Sequence, residues 1–442
     1  MIEKEKSIRL SGFTKFMKIQ EEFHMKKTLA ILLSAMMCAS LMSACGGSNG
    51  SSSSESKAEE SSAASESVSE SAEGGDSTAA DGALTGTLKL GHIGPLTGGA
   101  AVYGISTSGG AKIAVDEINA SDTNGFTIEL NNQDDEHDAE KSVNAYNNLK
   151  DWDVQAIVGC TTTSPALAVS AEAFSDRMFM LTPSASSTDV TAGKDNVFQM
   201  CFTDPNQGKI AAEYVAEHDL AENIAIIYNN SDAYSTGIYQ AFEEKAGELG
   251  LNIVSVTTFP DDSNADFSVQ LQDAQNSGAD FVFMPMYYTP ASNILTQASA
   301  MGYDPTFFGT DGMDGILSVE GFDTSLAEGL MLMTPFASTD SPDFTQKFEE
   351  NEGFTPTQFA ADGYDCVYAI YDALKYYAAA NGGYDVTDVS YSDLCDILVS
   401  TFTDPSFTFD GMTGENMSWS ANGEVTKDPK VYVIKDGAYT EA

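Results

Sequence analysis

The sequence has few of the groups that proteins use to hold phosphates or metals. Only two of its 442 residues are arginine, Arg9 and Arg177, and its four histidines are scattered. The 66 acidic residues outnumber 21 basic ones, which gives a formal net charge of -45. Nucleic-acid binding needs clustered lysine and arginine, so a DNA or RNA partner is excluded. Scattered histidines also provide no constellation for a metal centre or a histidine base, and we expect no cofactor.

Cysteine is sparse as well. Two of the six cysteines, Cys38 and Cys45, lie near the N-terminus. The other four show neither CxxC nor zinc-finger spacing: Cys160, Cys201, Cys366 and Cys395. The spacing therefore indicates neither a zinc site nor a dense disulfide framework, and it leaves open whether these four are free thiols or form one or two bridges.

The N-terminal residues predict a leader rather than a folded domain. Within residues 1–44, two lysines follow Met25, and an apolar run and small residues follow the lysines. This is the layout of a secretory signal, too short to span a membrane, and we expect translation to begin at Met25. Residues 46–83 contain 13 serines, eight acids and no aromatic residue. Such a segment cannot bury enough apolar surface to fold.

The junction between these two segments, LMSAC at residues 41–45, resembles a bacterial lipobox, with Met42 where leucine is usual. The resemblance implies lipid attachment at Cys45 and a disordered, membrane-anchored tether over residues 45–83. A plain disordered N-terminus after ordinary signal cleavage is the alternative.

From residue 84 onward, short apolar runs alternate with segments of helical period. Strands are predicted at 87–93, 126–130, 155–158, 178–181, 224–228, 253–258, 281–284 and 306–308. Helices are predicted at 109–119, 139–150, 165–175, 206–217, 234–249, 267–276, 292–301 and 361–380, with hairpins over 411–439. This alternation predicts an α/β fold with parallel sheets covered on both faces. The pattern restarts after Asp204, which indicates two such units meeting at a cleft.

Two loops rich in hydroxyl groups follow predicted strands. Residues 159–165 open a helix, and residues 182–188 follow the next strand. The carboxyl ends of parallel strands share one edge, so we expect the loops to converge there. A helix N-terminus offers free N–H groups to an anion, although the first loop could simply cap its helix.

Asp311 lies in a glycine-flanked turn after a predicted strand, where a carboxylate can meet a ligand ammonium or serve as an ordinary turn residue. Enzymatic signals are missing around it. Residues 104–109 miss the GxSxG pattern by one place and have no histidine nearby. The acidic cluster at 134–138 lacks calcium-loop spacing and is typical of a solvated strand end. We therefore expect a binding protein and not an enzyme.

Taken in order and at these distances, six motifs resemble those of the extracytoplasmic solute-binding proteins of branched-chain amino acid ABC transporters. They are IGPLTG at 93–98, YG at 103–104, VGCTTTS at 158–164, LTPSAS at 181–186, YSTG at 234–237 and GTDG at 309–312. The resemblance covers residues 84–439. It implies two doubly wound parallel-sheet lobes joined by interlobe crossovers, the periplasmic binding protein type I fold. Its lobes would be 84–203 with 334–407, and 204–333 with 408–442.

The resemblance also implies site residues. Thr163 would bind the ligand carboxylate and Asp311 the ammonium, with Asp311 standing where the best-known members have the longer Glu. The residues that would complete the site are Tyr103, Ser184, Ser186, Tyr234 and Tyr287. A disulfide known in some members is not supported, since His137 stands near the place of its first cysteine.

The function implied is capture of a small zwitterion, a branched-chain or other aliphatic amino acid, by lobe closure. The expected protein is a lipid-anchored monomer on the extracytoplasmic face of the membrane, serving a permease and its ATPase subunits. Alternatives are another solute, such as an amide, a peptide fragment or an aromatic acid, or a sensory receptor subunit.

Overall fold

The computed structural model describes residues 82–121, 125–261 and 265–442. The predicted leader, the start at Met25, the lipid-bearing Cys45 and nearly all of the predicted tether lie outside these residues. Within the described part, no helix combines the length and the apolar composition needed to cross a membrane.

The first sheet is entirely parallel. Its strands are β1 Leu84–Gly94, β2 Phe126–Asp134, β3 Ala156–Gly159, β4 Phe179–Thr182, β5 Val197–Gln199 and the later β11 Tyr384–Asp385. Strand β1 pairs with β2, β3 and β11, and β4 and β5 follow β3. Leu90 is opposite both Leu130 and Ala156, which fixes the register at the centre.

The second sheet is parallel except at one edge. Its strands are β6 Ile224–Asn229, β7 Ile253–Phe259, β8 Phe281–Met284, β9 Thr306–Gly309, β10 Met331–Thr334, β12 Lys430–Lys435 and β13 Ala438–Glu441. The order is β13-β12-β10-β9-β8-β6-β7, and β12 and β13 are antiparallel to their neighbours. Asp436 and Gly437 form the turn between β12 and β13, as the predicted hairpin requires.

Ten α-helices of the described residues surround these sheets. They are α1 Ala101–Ser121, α2 Ala139–Asp151, α3 Thr163–Asp176, α4 Asp204–Glu217, α5 Ala233–Leu249, α6 Ser268–Asn276, α7 Tyr288–Met301, α8 Pro342–Glu352, α9 Gln358–Asn381 and α10 Tyr391–Phe402. The alternation of strand and helix that the sequence predicts is confirmed, and so is the α/β fold with two parallel-strand sheets.

Each sheet is buried on both faces, which explains why its strands are nearly all apolar. In β3, Val158 packs into one core with Leu88 and Leu90, whereas Ile157 packs into the core on the other face with Val169. Helix α9 covers the first of these cores with Val367, Leu374 and Ala378, which are fully buried. Alternate residues of a strand point to opposite faces, so helices are needed on both sides.

Helix α1 begins at Ala101, eight residues before its predicted start. Glycines hide the helical pattern in its first half. A Cβ on Gly104 would lie 2.1 Å from the backbone oxygen of Pro95, and one on Gly110 would lie 1.8 Å from that of Ala360. These glycines allow the helix to approach the loop after β1 and helix α9 closely. The earlier start places Tyr103 on the first turn of α1.

The segment between α10 and β12 packs on the first sheet. Phe409, Met417 and Trp419 belong to the same core as Leu90, and the Trp419 indole donates a hydrogen bond to the backbone oxygen of Gln199 at 2.8 Å. The division of the chain between the two lobes remains a proposal. These contacts favour moving its last boundary from residue 408 toward residue 430, because the intervening segment shares the core of the first sheet.

Candidate functional site

A narrow cavity lies where the carboxyl ends of strands from both sheets meet. The residues that line it are Tyr103, Thr161, Thr162, Ser184, Tyr234, Tyr287, Asp311, Gly312 and Phe359. Five of the seven predicted site residues are among them. Thr163 and Ser186 are buried but are not lining residues. The lining combines hydroxyl groups, aromatic rings and a carboxylate, a mixture that suits a small solute with both polar and apolar parts.

The two hydroxyl-rich loops converge on one wall of this cavity, as expected from their positions after β3 and β4. The Ser184 hydroxyl donates to the backbone oxygen of Thr161 at 2.6 Å, and the Thr182 hydroxyl donates to that of Cys160 at 2.6 Å. These bonds join the loop after β4 to the loop after β3. The wall therefore has a fixed shape before any ligand arrives.

Helix α3 presents its N-terminus to this wall. Thr162 is its N-cap residue and makes no side-chain capping bond, and the helix begins at Thr163. The first N–H groups of a helix have no partner within the helix and carry partial positive charge. This end of α3 can therefore hold a carboxylate, with the hydroxyls of Thr161 and Thr162 beside it.

Thr161 is held in place from behind. Its hydroxyl lies 2.9 Å from the Thr107 hydroxyl, which lies 2.8 Å from Nε2 of His92. Burial lowers the pKa of His92 to about 3, so the imidazole is neutral at physiological pH. Thr161, Thr107 and His92 are all buried and uncharged. They therefore add no charged side chain to the end of α3 that could hold a carboxylate.

Asp311 lies on the opposite lobe. The Tyr234 hydroxyl donates to its Oδ1 at 2.6 Å, and the backbone N–H of Asp311 donates to Gln207 Oε1 at 3.2 Å. Burial raises the pKa of Asp311 to about 6, although the Tyr234 bond favours the charged form. No ion pair within the described residues involves Asp311. A buried carboxylate without a cation is costly, so this side of the cavity favours a positively charged ligand group.

Two more buried acids lie close by. Burial raises the pKa of Asp204 well above its ordinary value and that of Asp232 to about 7, and the negative charges of Asp311 and Asp232 raise that of Asp204 further. The backbone N–H of Asp204 donates to the backbone oxygen of Ser186 at 2.9 Å, which places Ser186 behind the lining residues. The local excess of carboxyl groups favours a cation on this side.

Aromatic rings form the remaining walls. Tyr103 lies 4.8 Å from Phe359 and 5.4 Å from Tyr287 between ring centroids, and Tyr287 stacks on Tyr234 at 4.9 Å. The Tyr103 hydroxyl is already used, since it donates to the backbone oxygen of Gly312 and accepts from the N–H of Tyr288. These walls therefore offer mainly ring faces, which suit an apolar ligand side chain.

Four lining residues were not named in advance. Thr161, Thr162 and Gly312 lie within the motifs at 158–164 and 309–312. Thr161 and Thr162 stand at the start of the loop that follows β3, and this position could have indicated them. Phe359 carries no local signal, because it reaches the cavity only through the packing of α9. The four cysteines that the sequence left open are buried free thiols. The described residues contain no group of side chains that could hold a metal ion.

Together these features define a class of protein. An uncapped helix end on one lobe and an unpaired carboxylate on the other border one small cavity, and aromatic rings close it. Such a site can hold both charges of a small solute but provides no activated nucleophile. These features define a two-lobed solute-binding protein.

The chain belongs to the periplasmic binding protein family, whose sequence model matches residues 87–438. It is 29% identical over 259 residues to a Leu/Ile/Val-binding protein of Rhizobium johnstonii, which covers 58% of this chain and 70% of that protein. It is 28% identical over 271 residues to a leucine-, isoleucine-, valine-, threonine- and alanine-binding protein of Pseudomonas aeruginosa, covering 60% and 70%.

Solved structures agree with this assignment. A leucine-binding protein of Thermotoga maritima matches with a TM-score of 0.70 and 25% identity, over 80% of this chain and 97% of that one. A branched-chain amino acid transporter substrate-binding protein of Streptococcus pneumoniae, in complex with isoleucine, matches with a TM-score of 0.70 and 28% identity over the same shares. The chain is accordingly an extracytoplasmic solute-binding protein.

Proposed function

We propose that this protein captures an aliphatic L-amino acid, of the leucine, isoleucine or valine type, and delivers it to an ABC permease driven by ATPase subunits. The observation that carries the proposal is the placement of the α3 N-terminus and Asp311 on one small cavity. The first would receive the α-carboxylate and the second the α-ammonium. The aromatic walls would then enclose the side chain.

The residues divide between these roles. Thr163, through the helix end that it begins, would bind the carboxylate together with Thr161 and Thr162. Ser184 and Ser186 would add contacts from the loop after β4. The aromatic residues of the proposed site are Tyr103, Tyr234, Tyr287 and Phe359. Similar proteins whose names mention leucine, isoleucine and valine support this ligand class.

An aromatic acid is the main alternative solute. A solute-binding protein of R. palustris in complex with benzoate has a TM-score of 0.69, but its 17% identity shows only the shared fold. Benzoate has no ammonium group, so it would leave the buried Asp311 without a cation. The carboxylates around the cavity therefore favour an amino acid over an aromatic acid. Binding measurements with a panel of solutes separate an amide or a peptide fragment from an amino acid, and a transport measurement separates a sensory role from uptake.

A solute panel tests the proposal. The purified chain carrying Cys45→Ala would be titrated calorimetrically with L-leucine, L-isoleucine, L-valine, leucinamide, a dipeptide and benzoate, with native mass spectrometry to detect any copurified solute. Saturable binding of an aliphatic amino acid, lost in Asp311→Asn, is the expected result. Binding of benzoate or leucinamide with no amino-acid binding would contradict it. Transport of the bound amino acid into cells would separate an importer from a sensor.

We also propose that the mature protein is a lipid-anchored monomer. The support is the sequence LMSAC at 41–45 and the serine- and acid-rich segment after it. Cys45→Ala should move the protein from the membrane fraction to the medium or the periplasm, and the wild-type N-terminal peptide should carry acyl chains. A soluble wild-type protein cleaved at another position would contradict lipid attachment. Size-exclusion chromatography with light scattering tests the monomer.

A further inference from the structure

The second lobe supplies an acceptor to the start of a first-lobe helix. Asp314 lies three residues after Asp311, in the turn that follows β9, and is 1% exposed. Its Oδ2 accepts a hydrogen bond from the backbone N–H of Gln358 at 2.6 Å. Gln358 is the first residue of α9, which packs in the core of the first sheet. The contact therefore joins the two lobes.

Helix α9 has no side-chain cap of its own. Thr357 is its N-cap residue, yet it makes no capping bond, and its buried hydroxyl has no partner within the described residues. The first N–H groups of a helix need partners from outside it, and a buried N–H left without one costs about 1–3 kcal/mol. Asp314 thus replaces the local cap with one from the opposite lobe.

Further bonds surround this contact. The Gln358 side-chain amide donates to the backbone oxygen of Asp311 at 3.1 Å, which is a second bond between the lobes. The Tyr439 hydroxyl donates to Asp314 Oδ1 at 2.8 Å and fixes the carboxyl from the β12–β13 hairpin. Phe359, which follows Gln358, lines the cavity, and so does Gly312, which lies two residues before Asp314. The bond between Asp314 and Gln358 therefore lies directly behind two of the cavity walls.

We propose that Asp314 is a positioning residue for ligand retention: its carboxyl caps helix α9 when the lobes close, and this contact slows ligand release without touching the ligand. The inference rests on the proposed function in one respect, because it takes a bound amino acid to be what closes the cleft. A contact made after closure affects mainly the rate of opening, so it should change the dissociation rate and leave the association rate nearly unaltered.

The effect of Asp314 on ligand release should depend on its acceptor oxygen and not on its negative charge. Burial raises the pKa of Asp314 to about 7, so the desolvation of the charge offsets much of its attraction to the helix end. An asparagine keeps an oxygen for the Gln358 N–H, and its amide can donate to the Tyr439 hydroxyl. Alanine has neither the acceptor oxygen nor the amide donor. Asp314→Asn should therefore behave like the wild type, whereas Asp314→Ala should not.

The test measures release of radiolabelled L-leucine from the full chain after a chase with unlabelled leucine. Asp314→Ala should release the ligand on the order of tenfold faster, from the loss of one buried hydrogen bond, with an unchanged association rate. Ser390→Ala is the control, because Ser390 caps α10 within the first lobe through the N–H of Asp393. It should lower the melting temperature of the ligand-free protein without changing leucine release.

Three results would overturn the inference: an unchanged release rate in Asp314→Ala, an equal acceleration in Ser390→Ala, or an equal acceleration in Asp314→Asn. If the wild type binds none of leucine, isoleucine and valine, the proposed function fails instead. The contact is then tested without ligand by small-angle X-ray scattering. A larger radius of gyration in Asp314→Ala than in the wild type and Asp314→Asn would support the interlobe cap, and equal radii would reject it.

Discussion

The hydroxyl of Tyr103 donates to the backbone oxygen of Gly312 at 2.5 Å, directly across the cleft between the lobes. The Tyr103 hydroxyl oxygen also accepts a hydrogen bond from the backbone N–H of Tyr288 at 3.1 Å. Helix α1 therefore holds two backbone groups of the second lobe through one phenol. Hydrogen bonds between the two lobes therefore help to close the site, in addition to any contacts with a solute.

Removing that hydroxyl should weaken ligand binding while leaving the ring in place. Tyr103→Phe leaves the Tyr288 N–H and the Gly312 oxygen without their partner when the lobes close. We expect the leucine dissociation constant to rise on the order of tenfold, measured by calorimetry. Tyr239→Phe is the matched control, because its hydroxyl bonds only to the exposed Glu243 on its own helix. An unchanged dissociation constant in Tyr103→Phe would remove this bond from the closing mechanism.

Asp311→Asn keeps the size of the side chain and removes its charge. The ammonium of the ligand would then lose its nearest anionic partner in a buried site. We expect the affinity for leucine to fall on the order of 30-fold to 1,000-fold, as for the loss of a buried charge partner worth ~2 to 4 kcal/mol. The unfolding midpoint of the ligand-free protein should not fall, because burial disfavours the charge. Wild-type affinity in this variant would exclude Asp311 from ammonium binding.

Ligand affinity should fall on acidification. Burial raises the pKa of Asp311 to about 6, and a bound ammonium would lower it, so the ligand prefers the deprotonated form. Affinity should be constant well above pH 6 and should decline below it, toward about tenfold per pH unit for one proton taken up. Burial also raises the pKa of the neighbouring Asp232 to about 7, so its protonation on acidification acts in the same direction. Calorimetric titrations between pH 4.5 and 8 test this, with Asp311→Asn expected to show a shallower profile.

The buried ion pair between Lys427 and Asp362 should matter for stability. The two side chains are 1% and 2% exposed and lie 2.7 Å apart, and Lys427 also donates to Thr413 and to the backbone oxygen of Met200. Lys427→Met leaves the Asp362 carboxyl buried without its partner, so the free energy of unfolding should fall by about 3–5 kcal/mol.

Urea denaturation measures this loss. The double variant with Asp362→Leu should recover much of the stability, because no unpaired charge remains. Lys245→Met is the control, since Lys245 pairs with the more exposed Glu213 and its loss should cost less than about 1 kcal/mol. Equal losses in the two lysine variants would contradict a special role for the buried pair.

The architecture could be predicted because most of its strands and helices carry their own signal. Strands such as β3 and β8 are short apolar runs because helices cover both faces of their sheets. The predicted start of helix α1 was eight residues too late, since the glycines that allow its close packing weaken its helical pattern. Strand β5 has only three residues, too few for a period to show. Local signals fail where packing between distant segments sets the conformation.

The site, like the fold, has features that the sequence predicts and features that depend on packing between distant segments. The sequence alone determined that hydroxyl-rich loops and Asp311 follow strands, and therefore that they would lie at the carboxyl edges of the sheets. Only the tertiary structure decided that Thr161 and Thr162 line the cavity whereas Thr163 does not, and that Phe359 completes its wall. It alone placed the Asp314 carboxyl at the start of α9. These contacts join residues of different lobes, and their geometry depends on how the two sheets pack, which no local pattern of residues encodes.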